Sequence, residues 1–552
     1  MYKMTEKTSI RGHTISYNPE TKNQDIDAAL LERFDGKLDM QATLDDLHDP
    51  YLLADMDKAI ERIKQAKTQN EKVIIFGDYD VDGVTSTALL VHLLTLLKFQ
   101  VSYRLPHRVN DGYGLKKHFV DEAHELGVGL IITVDCGTRD IDVIKHAKEL
   151  GVDVIITDHH AVPEVIPQEA VALINPKRED CEYPFKYLAG AGVAFKVVMA
   201  LAKEYMDEEQ YTNYIRNSID IAAIGTVADC MSLVGENRII VQEGLKQIRQ
   251  SRSKGIRILL EEKLDIDIDA DIFGFQIGPR INAAGRLDSP YKALNLLLNN
   301  SDGVYQTLSE IENLNEQRKF LTRQFSEEAF QKVNPQNNIL FYHSPAIEHG
   351  IIGIVAGRLT EQFYKPSIVL KDEGDKLVGS CRSPEYFSII EILDKYRDMF
   401  IAYGGHKQAA GFSIARENFG AFRNAITKEL NAQDFSQYRK IIDVTKVVQL
   451  EELGFGFLRK VNQFKPFGLG NPKPLFLVEK FEYNTLSFLG QNSRDHIQFK
   501  TKHGYKIFGF GLGQYFEKIK KSKNIDIIFE LSEDSWMGKK NLMLRVVDVV
   551  VR

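Results

Sequence analysis

The hexapeptide Asp78-Tyr79-Asp80-Val81-Asp82-Gly83 follows directly on the apolar run Val73-Ile74-Ile75-Phe76. That run reads as a buried strand. Alternate residues of an extended chain point the same way. Three carboxylates therefore converge beyond the C-terminal end of the strand, where open α/β sheets place their sites. Such a cluster repels itself unless a cation fills it. A calcium loop of the EF-hand kind is excluded, because no Glu closes a twelve-residue loop and a buried strand precedes it.

The pattern recurs downstream. Ile131-Ile132-Thr133-Val134 ends in Asp135, and Val154-Ile155-Ile156-Thr157 ends in Asp158-His159-His160. The apolar segment Ile221–Ala228 ends in Asp229 and is read as a fourth strand of the same kind. Taken alone, a strand-end Asp such as Asp135 is more often a helix N-cap than a ligand. Adjacent histidines after a strand face different ways, so one suits a metal and the other a phosphate or leaving group. Asp158 is placed to orient a histidine. Together the four segments imply a two-metal hydrolytic site.

A chain of 552 residues is too long for one core, so two to four domains are expected. The polar N-terminus lacks a signal-peptide apolar region, and no stretch approaches the ~20 apolar residues of a membrane span. The four cysteines, Cys136, Cys181, Cys230 and Cys381, form no CxxC, which fits a reducing cytoplasm and buried filler roles. Charge is unevenly spread. Residues 432–552 hold 20 Lys/Arg against 13 Asp/Glu, while the remainder holds 50 against 64. A basic C-terminal module on an acidic body suggests a polyanion partner.

The expected organisation has five parts. Residues 1–50 form a leader packed on the next domain. In residues 51–235 helical patterns at 56–67, 86–97, 116–126, 140–150 and 191–204 alternate with strands, giving an α/β, doubly wound parallel sheet. Thr85-Ser86 can cap the helix after the first carboxylate loop. Residues 236–335 are a helical connector ending in a long charged helix. Residues 336–435 resume α/β character as a smaller domain. Residues 436–552 are aromatic-rich short strands with no strong helix except 513–521, suggesting a small β-barrel. Its aromatics Phe476, Phe481, Tyr483, Phe488, Phe499, Tyr505, Phe508, Phe510 and Trp536 are interleaved with lysines. Most are expected in the core, with two or three exposed as base-stacking platforms.

In this order DYDVDG, VDCG, TDHH and VAD resemble motifs of the DHH phosphoesterase superfamily. Gly278-Pro279-Arg280-Ile281-Asn282-Ala283-Ala284-Gly285-Arg286, Gly404-Gly405-His406-Lys407-Gln408-Ala409-Ala410-Gly411 and Pro466-Phe467-Gly468-Leu469-Gly470-Asn471-Pro472 narrow the resemblance to the RecJ family of single-strand-specific 5′→3′ DNA exonucleases, from about residue 50 onward. The resemblance implies a DHH domain, a DHHA1 domain and an OB-fold. It also implies two divalent cations, with Mn²⁺ preferred and Mg²⁺ able to substitute. Asp78 and Asp80 would serve one cation and Asp82 the other. Asp135 would bridge them, and His159 and Asp229 would complete the second site. His160 is implied as the phosphate-contacting, proton-donating histidine.

Arg108, Tyr113, Arg280, Arg358, Ser380, Arg382, Gly404, Gly405 and His406 are the implied substrate contacts. Implied partners are single-stranded DNA, single-strand-binding protein and a RecQ-type helicase, in DNA recombination and repair. One departure stands out: Glu348 occupies the family's usual His position, with His349 one residue late. Three rivals are a phosphodiesterase for very short or cyclic oligonucleotides, a non-catalytic replication scaffold and an inorganic pyrophosphatase. The first two generally lack either the barrel or an intact ligand set, and the third has no use for a barrel.

Overall fold

The computed structural model describes residues 4–34, 38, 40–261, 268–490, 494–502, 504–522, 524–536 and 539–551. The chain divides into two compact units. One comprises residues 42–434 with 468–470, and the other 1–41, 435–467 and 471–552. Among the described residues, no helix is long and apolar enough to cross a membrane.

The larger unit is built on an all-parallel sheet ordered Gln100–Arg104, Lys72–Phe76, Val128–Val134, Asp153–Thr157, Ala172–Ile174. Helices cover both faces. Val73 and Ile75 pack into the core beneath Met56–Thr68, Val81–Leu96, Gly190–Tyr205 and Ile219–Ala228. The alternate residues Ile74 and Phe76 enter a second core beneath Lys117–Glu125 and Ile141–Glu149. Strands buried on both faces explain why these segments read as continuous apolar runs rather than alternating ones. The chain order reverses around Lys72–Phe76, and the groove at that reversal lies at the C-terminal strand ends.

One segment departs from expectation. Residues Ile219–Ala228 are a helix, not a strand, and Asp229 is its C-cap. Ala222, Ala223, Gly225 and Ala228 are small and mostly buried among neighbouring helices. An apolar run without period cannot distinguish the two states.

The connector ends in the 29-residue helix Val304–Lys332, which contains no Gly or Pro. A second five-stranded sheet follows, ordered Phe400–Gly405, Ala409–Ala415, Lys376–Arg382, Ser367–Asp372, Leu340–Ser344. Its last pair is parallel and the rest antiparallel.

In the smaller unit a seven-stranded sheet is completed by the long hairpin Ile525–Trp536/Lys539–Val551. It also holds a helix, Phe455–Asn462, that the sequence did not announce. The N-terminal segment is not a leader on the following domain. Its hairpin Thr5–Thr8/Thr14–Tyr17 pairs in parallel with Ile441–Asp443. Ile15 and Tyr17 bury against Ile442, Leu477 and Ile528, and Lys7 reaches the fully buried Asp526 at 3.0 Å. Burial of such side chains is worth roughly 1.5–3 kcal/mol each, enough to recruit the segment. Phe476, Phe481 and Phe499 are core, Phe488 stacks on Phe516, and Phe510 is exposed. The Trp536 side chain lies outside the described residues.

Candidate active site

The Lys72–Phe76 strand exits through Gly77 to Asp78, which is buried. Asp80 caps the next helix: its Oδ1 accepts the Asp82 and Gly83 amides at 2.9 and 3.2 Å. Thr85 and Ser86 do not cap it; Thr85 donates back to the Val81 carbonyl inside the helix. A Cβ on Gly83 would sit 2.5 Å from the Asp78 backbone, so only glycine permits this loop. Asp82 lies in the first helical turn, and its carboxylate accepts the Gly190 and Ala191 amides at 2.7 and 2.8 Å. Those amides open the helix Gly190–Tyr205, whose N-terminal dipole favours an anion.

Asp135 is not an N-cap. It adopts a left-handed backbone (φ 61°), and the next helix begins only at Ile141. Non-glycine residues hold that conformation at a cost, and such strain clusters at functional sites.

These side chains meet. His159 Nε2 lies 3.1 Å from Asp135, 3.5 Å from Asp229 and 3.7 Å from Asp82. Asp82, His159 and Asp229 bring one ligand atom each within 4.8 Å of one another, and so do Asp78, Asp80 and Asp135. Asp135 and both histidines make a third such group. Asp78 Oδ1, Asp135 Oδ1 and His159 Nε2 are buried without a hydrogen-bond partner. Buried polar atoms are rarely left so. Burial, then the Asp80 charge, pushes Asp82 up to about 7. Burial and neighbouring carboxylates raise Asp78, Asp135 and Asp229 further. Burial, then the His160 charge, lowers His159 to about 3, leaving the neutral imidazole that metals take. Hard oxygen donors plus one imidazole, orphaned and mutually repelling, fit divalent cations.

His160 stays beside this cluster, its ring 4.5 Å from that of His159 rather than turned fully away. Its Nδ1 meets Asp158 Oδ1 at 2.8 Å and the Tyr113 hydroxyl at 3.0 Å. Tyr113 also donates to the Asp135 carbonyl. Asp158 accepts three backbone amides, from Thr138, His159 and His160. Burial opposes its ionisation, but these bonds and the histidine charges hold its carboxyl well below the usual range. Burial likewise opposes protonation of His160; the Asp158 bond outweighs it and raises the imidazole.

A second group of side chains is cationic. Arg108 stacks 4.0 Å over the Tyr79 ring, and its Nε is buried without a partner. Arg286 donates to the Gly350 carbonyl at 2.7 Å. Burial, then repulsion from Arg108, Arg318 and Arg382, lowers its guanidinium to about 9. Burial lowers Arg318, with Arg358 adding to it, and lowers Arg382, which donates to Ser380 Oγ at 3.2 Å. A Cβ on Gly353 would press on Ser380 and Arg382 at 3.0 and 3.1 Å. His349 joins this group, with Nδ1 buried and unpartnered, whereas Glu348 turns toward Lys371.

Arg280 does not join it. Arg280 is bound to Glu312 at 2.6 Å and to the Gln276 carbonyl. Both arginines of that motif lie on the helix Gly278–Leu287, six residues apart and so on different faces.

His406 sits in the turn after Gly405, where Gly405 (φ 146°) leaves no room for a Cβ and Gly404 has open space. Burial lowers His406, and the charges of Arg139, His160 and Lys177 add to this. Lys177, whose charge opposes the rise at Asp229, and Gly190, whose amide reaches Asp82, adjoin the carboxylate cluster although no motif signalled them.

The comparisons with known proteins agree with this geometry. Residues 72–226 match the DHH family, N-terminal domain; residues 336–432 match the DHHA1 domain; residues 444–548 match the RecJ OB domain. These matches define a DHH-type phosphoesterase. The single-stranded-DNA-specific exonuclease RecJ of Bacillus subtilis (strain 168) is 36% identical over 92% of this chain and 64% of its own length, so the chain spans just under two thirds of that relative. The same-named protein of Dickeya dadantii is 33% identical over 96% of this chain and 97% of its own. The crystal structure of RecJ in complex with Mn²⁺ from Thermus thermophilus superposes with a TM-score of 0.83 at 29% identity, covering 96% of this chain and 76% of that one. The corresponding complex with Mg²⁺ gives 0.76 at 27% identity, covering 96% and 74%. The chain belongs to the RecJ family of single-stranded-DNA-specific exonucleases.

Proposed function

We propose that the chain removes nucleotides from the 5′ end of single-stranded DNA, using two divalent cations, in cytoplasmic recombination and repair. The observation that carries this reading is Asp135, whose unpartnered oxygen lies within reach of two clusters of ligand atoms. Asp78 and Asp80 hold one cation, Asp82, His159 and Asp229 the other, and Asp135 lies against both. Carboxylates with a single imidazole suit Mn²⁺ first, with Mg²⁺ able to replace it. When bound, such cations would supply positive charge at the scissile phosphate and acidify a water nucleophile.

Hydrolysis forms a P–O bond from water and breaks the P–O3′ bond, freeing the terminal nucleotide. His160, held by Asp158 and Tyr113, bonds the phosphate or protonates the departing O3′. Arg108, Arg286 and Arg382 take the 5′-terminal phosphate as bidentate donors, with Ser380 giving a single hydrogen bond and Arg358 and His349 beside them. The Gly404-Gly405-His406 turn contacts the next phosphate over the metal cluster. Arg280, tied to Glu312, serves the helix rather than the strand. The basic, aromatic C-terminal sheet holds the downstream strand. With no ATP-binding motif, the chain depends on single-strand-binding protein and a RecQ-type helicase to supply single strands.

The test is digestion of 3′-labelled single-stranded DNA with Mn²⁺ by wild type and Asp135→Ala. Stepwise loss from the 5′ end, slowed by at least roughly 10²–10³-fold in the variant, is expected for removal of a main electrostatic element. Clearance of dinucleotides alone would favour a short-substrate phosphodiesterase. Binding without cutting by both proteins would favour a scaffold.

A further inference from the structure

Asn175 follows the edge strand Ala172–Ile174 and is fully buried. No part of the catalysis described above uses it. Its amide is nevertheless bonded to three separate loops. Oδ1 accepts the Lys177 amide at 2.9 Å. Nδ2 donates to Thr138 Oγ1 at 3.2 Å and to the His160 carbonyl at 3.0 Å. These partners fix which end of the amide points where. Thr138 in turn donates its amide to Asp158 Oδ2 at 3.0 Å, and Asp158 holds His160.

The bland account is a local turn: Asn side chains often accept the amide two residues on. The Lys177 bond is that turn. The two Nδ2 bonds are not, since they reach 37 and 15 residues away to the loops that follow Asp135 and Asp158. A turn needs neither.

We propose that Asn175 is a positioning residue for His160. It clamps the His160 backbone from behind while Thr138 fixes the carboxylate in front, so the imidazole has one orientation. Outer groups of this kind typically change activity by roughly 10–100-fold when removed. The proposal rests on the reading of His160 as the residue that meets the scissile phosphate.

The test compares Asn175→Ala, the isosteric Asn175→Asp, His160→Ala and the Asn175→Ala/His160→Ala double variant on 5′-phosphorylated single-stranded DNA. Asp at this position puts an oxygen against the His160 carbonyl and loses that bond without loss of volume. Both single Asn175 variants should lower kcat roughly 10–100-fold, with KM and Mn²⁺ affinity within about twofold of wild type. The unchanged affinities report an intact fold. In the His160→Ala background, Asn175→Ala should cost less than about threefold, because residues acting through one another are non-additive. Equal losses in both backgrounds, a loss expressed in KM, or full activity of Asn175→Asp would overturn it. If His160→Ala alone keeps the wild-type rate, the underlying reading of His160 fails instead, and the proposal falls with it.

Discussion

The carboxylate corner and the arginine pocket of the larger unit are opposite in charge and alike in design. In the first, burial and like charges push Asp82 up to about 7 and raise its neighbours well above the usual carboxylate range. In the second, burial and like charges pull Arg286 down to about 9. Folding alone satisfies neither. The wider protein shows how charges are buried when no ligand is meant for them. Lys196 and Glu236 are both buried and meet at 2.6 Å, with Tyr183 and the His48 carbonyl completing their bonds. Unpaired burial of one sign is costly, so its presence twice in one unit supports the proposed cations at one place and the proposed 5′-phosphate at the other.

The comparison can be broken most sharply at Gly190. A Cβ there would lie 2.6 Å from Asp135 Oδ1, so Gly190→Ala must displace the shared carboxylate. Nuclease activity and Mn²⁺ affinity, read by titration, should each fall by roughly 10–100-fold while DNA binding persists. Wild-type Mn²⁺ affinity would show that Asp135 is not held by this contact. The arginine pocket should respond differently. Arg286→Ala should raise KM for 5′-phosphorylated strands by roughly 30-fold or more, the scale of losing a buried charge partner, and leave 5′-hydroxyl strands less affected. Arg280→Ala, which loses a partly exposed pair with Glu312 and a bond to the Gln276 carbonyl, should change KM by less than about threefold. Equal effects of the two substitutions would dissolve the pocket.

The smallest effect is on stability. Carboxylates whose folded pKa lies above the ordinary 3.8 keep protons that the unfolded chain has released. Their contribution is full below about pH 4 and is lost as pH rises through the folded values, which begin near 7 at Asp82. In EDTA, wild type should therefore lose stability more steeply than Asp135→Asn as pH rises from 4 to 8. Mn²⁺ at a hundred times its Kd should add about 2.7 kcal/mol to wild type. Parallel melting curves for the two proteins across that range would remove the metal corner from this account.

The strand-end carboxylates were legible because strand, turn and ligand are contiguous, although Asp80 is a helix cap and Asp82 a first-turn residue rather than alternate residues of an extended chain. Asp229 was found through the wrong element: the eight apolar residues before it carry no period, since the helix is buried all round. The choice between Arg280 and Arg286 needed the helix that separates their faces. Lys177 and Gly190 needed the sheet order that brings three exits together. The pairing of Thr14 with Ile441 could not be read locally at all, because neither short strand has a pattern longer than chance.

That pairing has a consequence for how the protein is made. The hairpin Thr5–Thr8/Thr14–Tyr17 has its sheet partners at Ile441–Asp443 and its buried contacts at Leu477 and Ile528. Contacts this distant in sequence are slow to form, because loop closure precedes any gain from them. The larger unit can fold while synthesis continues, but these two strands stay without their partners until residues 441–528 have been made. A bulky insertion in the turn between Thr8 and Thr14 would therefore disturb the later unit to fold rather than the earlier one.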